Sequence, residues 1–259
     1  MNSIQPIKRV LLIGEMPVVD ELARQCTVAG CMASIYLIEE VLSADGLDRV
    51  RRDAEHADTA IEVMSESIDT KRLIVAALDA ALPPGALFLT SILSTTATLN
   101  GSWTRRPARV VGFAALPPVG QAGLIELAAG LRTEMDALDR ARAFFTALGL
   151  ASAQVKDSVG SVLPRIVCGL INEAATALAE GVASAEDIDL AMRLGTNYPR
   201  GPLEWGDLIG LDIVLAVLRG LHDETGDDHY RPVPLLRQYV RAGWLGRKTG
   251  RGFYEYDKQ

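Results

Sequence analysis

The sequence has few cysteines, and their spacing excludes the common kinds of cysteine site. Its three cysteines, Cys26, Cys31 and Cys168, form no CxxC pair and have no metal-ligand spacing. An odd, scattered set predicts reduced thiols in a cytoplasmic protein rather than a disulfide framework. We therefore expect neither a disulfide-stabilised fold nor a metal site.

A basic excess is also missing. The chain has 26 Lys and Arg against 33 Asp and Glu, which gives a net charge of −7 and a pI near 5.1. Nucleic acids and anionic membranes favour a basic surface, so neither is an expected partner. The first 20 residues contain no signal-peptide core, and no apolar run reaches the length of a membrane span. These absences predict a soluble protein of the cytoplasm.

The most informative absence is that of glycine after the first strand. Residues 9–14 form a buried apolar run that ends at Gly14, as in a dinucleotide-binding fold, but the two further glycines of that fold are missing. The loop instead carries two apolar side chains expected to block a pyrophosphate, Met16 and Val19, and three acids, Glu15, Asp20 and Glu21. The pattern predicts a retained scaffold with an altered ligand site.

What the first half does contain is an alternation of strand and helix patterns, which predicts a mainly parallel α/β sheet. The predicted strands are 9–14, 34–38, 58–63, 86–90, 109–113 and 124–127, and the predicted helices are 18–30, 69–82 and 134–148. A short polar stretch covers 43–56, and Val155 begins a last strand or a linker.

The second half has helical periodicity only. Predicted helices cover 163–178, 184–195, 207–222 and 234–242. The sequence thus predicts a shortened Rossmann-like α/β domain over 1–157 and an all-α domain over 158–259. The apolar residues of the helices 163–178 and 208–221 exceed what a small helical domain is expected to cover, which predicts a homodimer or heterodimer joined mainly through 160–259.

Several ordered motifs run along the chain. In the second half they are Asn172-Glu173-Ala174, the segment 180–189, Gly201-Pro202-Leu203-Glu204, the segment 207–212 and the terminal segment 246–254. In the first half they are Ile61-Glu62, Lys71, Pro84-Gly85, Val110-Val111-Gly112 and Leu124-Ile125-Glu126. Together these motifs resemble the L-3-hydroxyacyl-CoA dehydrogenase (3-hydroxybutyryl-CoA dehydrogenase) family, with a reduced Rossmann domain. The resemblance implies a dimerisation role for the helical domain and activity on acyl-CoA substrates.

The resemblance also implies a catalytic set that this chain largely lacks. The family uses a His general base paired with a Glu, and Glu126 matches that Glu whereas Ala114 stands at the His position. Leu93 stands at the catalytic Ser position and Pro164 at the position of the Asn in the second domain, while Pro117 replaces a further Asn. We therefore expect Glu126 to be a catalytic relic and hydride transfer to be lost.

Four residues match positions where family members contact the nicotinamide nucleotide, so NAD is the cofactor expected if any is bound. They are Gly14, Glu66, Lys71 and Lys248. Glu66 and Lys71 are alternatively exposed charges at a helix start, and Lys248 alternatively docks the C-terminus. The pair Glu39-Glu40 is either the acid that binds a ribose or a set of helix-start charges.

Three further features bear on ligands. The chain between residues 39 and 57 is too short for the helical hairpin that contributes to CoA binding in the family. The three histidines, His56, His222 and His229, lie away from the catalytic motif and are expected at the surface. Hydroxyls at 91, 94, 95 and 96 are available to a small ligand but are typical of structural turns.

Three functions remain open. The favoured one is an accessory or partner-binding subunit of acyl-CoA metabolism, either a homodimer or a heterodimer with a related dehydrogenase. The alternatives are an active NAD-dependent dehydrogenase with a rearranged site, and a protein that binds acyl-CoA or another small ligand between its domains.

Overall fold

The computed structural model describes residues 9–257, apart from the side chains of residues 121 and 122. The chain divides into two compact units, one ending at Ser161 and the other beginning at Val162. The domain boundary expected after residue 157 lies just before this division. The first unit is α/β and the second is helical, which confirms the predicted fold class.

The first unit is built on a seven-stranded sheet in the order β2-β1-β3-β4-β5-β6-β7. All neighbouring strands are parallel except β5 and β6, which are antiparallel. The strands are β1 (Arg9–Gly14), β2 (Met32–Leu37), β3 (Thr59–Val63), β4 (Leu87–Ser91), β5 (Val110–Ala114), β6 (Leu124–Ala129) and β7 (Ala151–Val155).

Helices cover both faces of this sheet, which is why β3, β4 and β5 are buried along their whole length. They are α1 (Val18–Val28), α2 (Ile38–Val41), α3 (Gly46–Ala54), α4 (Ile68–Ala81), α5 (Ala97–Ser102), α6 (Val119–Ala122) and α7 (Met135–Ala147). One apolar cluster joins α1 and α7 to the sheet, and a second joins α3 and α4 to it.

Two segments of this unit differ from the sequence prediction. The stretch 43–56 is not an irregular polar segment, because most of it forms α3, which buries Val50 and Ala54 against the sheet. The last strand ends at Val155 instead of beginning there. As an edge strand it leaves residues of both faces partly exposed, so its sequence lacks the long apolar run that marks the central strands.

The second unit contains five α-helices among its described residues: α8 (Leu163–Ala179), α9 (Ala185–Thr196), α10 (Pro202–Ile209), α11 (Leu211–Thr225) and α12 (Pro234–Arg241). The helix predicted over 207–222 was wrong as a single element. Gly210 separates α10 from α11 with a φ of +105°, a conformation that side chains rarely adopt.

The apolar side chains of α11 do not form an exposed surface, which corrects the argument made for a dimer from the sequence. Ile213, Val214, Val217, Leu218 and Leu221 are all buried within the unit, because α11 packs against α8 and α12. In the part of the chain covered by the structure, no helix is long and apolar enough to cross a membrane.

The C-terminal segment is held in place by the buried carboxylate of Asp207. It accepts hydrogen bonds from the amides of Phe253 and Tyr254, each at 2.9 Å, and from the hydroxyl of Tyr256 at 3.0 Å. Two glycines allow the close approach: a Cβ on Gly246 would lie 2.3 Å from the Asp207 carbonyl oxygen, and one on Gly252 would lie 2.0 Å from its carboxylate. The glycines of this terminal segment therefore have a packing role.

Replacing the Asp207 carboxylate is expected to destabilise the protein. In Asp207→Ala the amides of Phe253 and Tyr254 lose their acceptor, and we expect the free energy of unfolding to fall by about 3 kcal/mol. Urea unfolding followed by tryptophan fluorescence measures the change. The control is Asp257→Ala, which removes an exposed carboxylate of the same segment and is expected to change stability by less than about 0.5 kcal/mol. Equal effects of the two substitutions would contradict the role assigned to Asp207.

Candidate functional site

The topology places the candidate site at the carboxyl ends of β1 and β3. The chain leaves β1 towards β2 on one side, and β3 pairs with β1 on the other, so the order of strands reverses here. Ligands of open α/β sheets bind at such a point. Gly14 ends β1, and a Cβ there would lie 2.0 Å from the carbonyl oxygen of Val63 in β3. Strand packing alone therefore requires this glycine.

The Glu15 carboxylate accepts hydrogen bonds from the backbone amides that follow β3. It accepts hydrogen bonds from the Ser65 amide at 3.2 Å, the Ser65 hydroxyl at 2.9 Å and the Glu66 amide at 3.4 Å. Burial raises the pKa of Glu15, and the nearby Glu62 adds to this, whereas the bonds from Ser65 and Glu66 act in the opposite direction. The side chain thus places its own negative group where the fold would hold an anionic ligand.

The geometry around Glu15 does not fit a pyrophosphate. Two unit charges of the same sign about 4 Å apart repel by roughly 4 kcal/mol at an effective dielectric constant of about 20. The amides at Ser65 and Glu66 that could offset this repulsion already bind Glu15. Glu66, expected as a cofactor contact, contributes its amide to this internal bond.

The other residues of the loop have different roles. Val19 was expected to block the approach of a ligand, but it is fully buried in the core beside the sheet. Met16 is 47% exposed and remains a side chain at the loop surface. Asp20 pairs with Arg24, and Glu21 accepts a hydrogen bond from the amide of Val119. Of the three acids, only Glu15 binds the donors at the end of β3.

Lys71 belongs to a buried polar network and is not an exposed charge at a helix start. Its Nζ donates to Glu62 Oε2 at 2.6 Å and to the Met64 carbonyl at 3.0 Å. The Thr90 hydroxyl donates to the same Glu62 oxygen at 2.6 Å, and the Asn100 amide donates to Thr90 at 3.0 Å. With its Nζ bound to Glu62 and Met64 and its side chain 2% exposed, Lys71 is held as a structural group.

Lys248 lies in the second unit and pairs with Asp212 at the start of α11. Its Nζ and Cε also lie 3.2 and 3.3 Å from the place that a Cβ on Gly210 would occupy. Lys248 thus fixes the terminal segment onto the turn between α10 and α11. This contact supports the second of the two sequence interpretations, in which Lys248 docks the C-terminus.

Glu126, the retained residue of the expected catalytic pair, lies opposite Ala114, which stands at the position of the missing His. Ala114 in β5 and Glu126 in β6 are direct partners in the antiparallel register, and both are buried. Residues opposite each other in such a pair project from the same face of the sheet, so a His at position 114 would lie beside Glu126. Alanine supplies no group that takes or gives a proton. Leu93, at the expected Ser position, is a buried apolar residue.

The nearby hydroxyls bond to the backbone, as the sequence favoured. Ser94 donates to the Ser65 carbonyl at 2.8 Å, Thr95 donates to the Ser91 carbonyl at 3.4 Å, and Thr96 accepts from the Leu99 amide at the start of α5. The bond from Ser94 connects the segment after β4 to the segment after β3, and the other two are local. The hydroxyls therefore stabilise the loops of the site.

Glu39 and Glu40 are both exposed in the first turn of α2, and Glu40 accepts a hydrogen bond from the Leu37 amide at 2.9 Å. This capping contact supports the interpretation of the pair as helix-start charges. His56 and His229 are exposed, and His222 lies near Asp223 and Asp228. Within residues 9–257 no group of three or more His, Cys, Asp or Glu is arranged to hold a metal ion.

Comparison with known proteins gives matches along most of the chain. Residues 36–158 match the family described as "3-hydroxyacyl-CoA dehydrogenase, NAD binding domain", and residues 160–256 match "3-hydroxyacyl-CoA dehydrogenase, C-terminal domain". The first match begins in β2, after β1, the loop of Glu15 and α1. It therefore leaves out the segment in which the glycines are missing.

Two relatives of similar length support the same assignment. The chain is 39% identical over 222 residues to the probable 3-hydroxybutyryl-CoA dehydrogenase of Bacillus subtilis, which covers 86% of this chain and 77% of the relative. It is 39% identical over 237 residues to the 3-hydroxybutyryl-CoA dehydrogenase of Bradyrhizobium diazoefficiens, with 91% and 80% covered.

Solved structures agree with the fold. The crystal structure of (S)-3-hydroxybutyryl-CoA dehydrogenase from Ralstonia eutropha matches with a TM-score of 0.79 and 33% identity, covering 98% of this chain and 100% of that one. FadB2 of Mycobacterium tuberculosis matches with a TM-score of 0.85 and 28% identity, covering 97% and 100%.

The buried network gives a test of the role of Lys71. Lys71→Met leaves the Glu62 carboxylate buried without its cation, so we expect the free energy of unfolding to fall by about 3–5 kcal/mol. Glu62→Gln combined with Lys71→Met removes the unpaired charge and is expected to restore part of the loss. Lys156→Met, at an exposed position, is the control and is expected to change stability by less than about 0.5 kcal/mol. Urea unfolding measures all three, and a Lys71→Met protein as stable as the control would contradict the structural role.

Proposed function

Because the chain belongs to the 3-hydroxyacyl-CoA dehydrogenase family, we propose that it is a member without dehydrogenase activity that serves as a partner-binding subunit in cytoplasmic acyl-CoA metabolism. The observation that carries this proposal is the pairing of Ala114 with Glu126. The Glu of the expected catalytic pair is retained, and the strand register would bring a His beside it, but the residue there is alanine. Loss of a positioned general base typically lowers a rate about 10²–10⁴-fold.

The loop after β1 supports the same proposal from the cofactor side. The Glu15 carboxylate binds the donors at the end of β3, so a bound dinucleotide would have to displace it or lie against it. No backbone cradle of glycines offsets this cost, because residues 15–17 lead directly into α1. We therefore propose that NAD(H) binds weakly or not at all.

The helical unit is the proposed partner-binding part. Its exposed large apolar side chains lie on and beside α8 and α9 and include Ile166 at 59%, Val182 at 70% and Leu194 at 78% exposure. Several large apolar side chains exposed in one small helical unit are costly in water and are typical of an interface. We propose that a second copy of the chain covers it, with a related dehydrogenase as the alternative partner.

An active dehydrogenase is the second candidate, since the relatives at 39% identity are named 3-hydroxybutyryl-CoA dehydrogenases. It would require a general base other than residue 114 and a cofactor held despite Glu15. Both requirements can be tested directly with the purified protein. Binding of an acyl-CoA without turnover would be compatible with the first proposal.

The purified protein is expected to show no oxidation of NADH with acetoacetyl-CoA above the rate of a blank without protein. Absorbance at the NADH band measures turnover, and calorimetry with NADH measures cofactor binding. The Ralstonia eutropha relative assayed in parallel is the positive control. Robust oxidation by protein free of host dehydrogenase would contradict the proposal.

The substitution Ala114→His is expected to leave the protein inactive, because Leu93, Pro164 and the loop of Glu15 stay unchanged. Ala115→His, one residue along the same strand end, is the matched control for the added imidazole. A dehydrogenase produced by Ala114→His alone would show that the cofactor site is intact and would contradict the role given to Glu15.

The dimer proposal predicts a mass of two chains by light scattering at micromolar concentration. The double substitution Ile166→Glu and Leu194→Glu is expected to give a monomer, because it places two charges on the proposed interface. Leu131→Glu in the first unit is the control, since Leu131 is 90% exposed and belongs to the other unit. A monomer for the unmodified protein, or equal effects of both changes, would contradict the assignment.

A further inference from the structure

A second concave site lies in the first unit, at the opposite edge of the sheet from Glu15. A cavity of about 480 Å³ is lined by Pro84, which precedes β4, by residues 105–109, which precede β5, and by residues 132–140 after β6. Because β6 runs antiparallel to β5, its carboxyl end lies beside the amino end of β5. The cavity therefore belongs to the amino edge of β4 and β5, away from the edge at which the fold is expected to bind a nucleotide.

Arginine dominates the lining of this cavity although the chain carries a net charge of −7. The lining contains Arg105, Arg106, Arg109, Arg132 and Arg140. Two carboxylates, Glu134 and Asp136, also line it and offset part of the charge. An excess of positive charge remains, and it is concentrated in one concave place on an acidic protein.

Three of the arginines are fixed in position by the fold. Arg109 donates to Asp79 at 2.9 Å, Arg106 donates to the Leu82 carbonyl at 3.0 Å, and Arg140 donates to the Gly85 carbonyl at 2.9 Å. Side chains held in this way lose little further freedom when they bind a ligand.

The arginine buried deepest in this group still has an unused donor. Arg109 is 6% exposed, and its Nε has no hydrogen-bond partner within residues 9–257. A buried donor without an acceptor is costly, but this atom has almost no accessible surface, so Arg109 offers a ligand in the cavity its positive charge instead of this hydrogen bond. Burial lowers the pKa of Arg109, the charge of Arg106 adds to this, and the bond to Asp79 opposes it. A bound anion would stabilise the charged form of Arg109.

The other two arginines have their charges available. Arg105 and Arg132 are exposed, and neither side chain forms an ion pair within the part of the chain that the structure describes. Arg105 precedes β5 and Arg132 follows β6, and both line the cavity. The lining thus combines arginines held by hydrogen bonds with exposed ones whose charges have no ion-pair partner among residues 9–257.

We propose that this cavity binds a small oxyanion of more than one negative charge, carried by a phosphorylated molecule or a polycarboxylate. Arginine forks bind both groups through paired hydrogen bonds. The volume lies within the range of about 300–1,000 Å³ typical of small-molecule sites, so it accommodates more than an inorganic ion. This site is independent of the proposed loss of dehydrogenase activity.

Calorimetric titration of the full chain at low ionic strength tests the proposal, with pyrophosphate and citrate as the two probes. We expect saturable binding of at least one probe. Arg105→Gln combined with Arg132→Gln is expected to weaken that binding about tenfold or more, because each change removes a charged donor. Both residues are exposed, so we expect the double variant to fold, and circular dichroism checks this. The single change Arg132→Gln is the second variant.

The matched control is Arg52→Gln combined with Arg72→Gln, which removes two exposed arginines of the same unit outside the cavity. It is expected to leave binding unchanged. Tighter binding of pyrophosphate assigns the site to phosphorylated molecules, and tighter binding of citrate assigns it to polycarboxylates. Absence of saturable binding by both probes, or an equal loss in both double variants, would overturn the proposal.

Discussion

The ion pair between Glu62 and Lys71 connects the elements on which the rest of the first unit is built. It links β3 to α4, and Thr90 and Asn100 extend it to β4 and α5. Charges buried this completely are tolerated only as a set, because each carboxylate or ammonium without its partner would bear a large desolvation cost. The network therefore fixes how α4 and α5 lie on the sheet, and with them the segments that follow β3 and β4.

Those segments carry Ser65 and Ser94, and they determine what Glu15 can contact. Ser94 bonds to the carbonyl of Ser65, while the amide and hydroxyl of Ser65 bind Glu15. The loop after β1 is thus closed by internal hydrogen bonds. The fold is that of a dehydrogenase family. At the ligand edge of the sheet, however, the donors of Ser65 are bound by Glu15 and its carbonyl is bound by Ser94. Fold and activity are separable properties, so the family fold of this unit does not by itself establish an activity.

The sequence predicted six of the seven strands described, the division into an α/β half and a helical half, and the family, because long apolar periods and multi-part motifs report on packing directly. The sequence prediction was less accurate where a single residue determines the local structure. Gly210 divides a continuous apolar run into α10 and α11, and periodicity does not register a single change of φ. Lys71 appeared as a surface charge because its partner Glu62 lies on another element. The cavity of arginines was missed for a similar reason, since segments distant in sequence assemble it.

The contact made by Asp207 has a consequence for the order in which the second unit forms. Asp207 lies in α10, and the amide of Phe253 that it binds is 46 residues later in the chain. Domains generally fold as units while the chain emerges from the ribosome, with the N-terminal parts first. Here α10 would emerge well before its binding partners, and its carboxylate would stay hydrated until residues 253 and 254 have also emerged. The helical unit therefore completes its packing only after the segment around Phe253 is available, and until then Asp207 is a hydrated surface carboxylate instead of a buried acceptor.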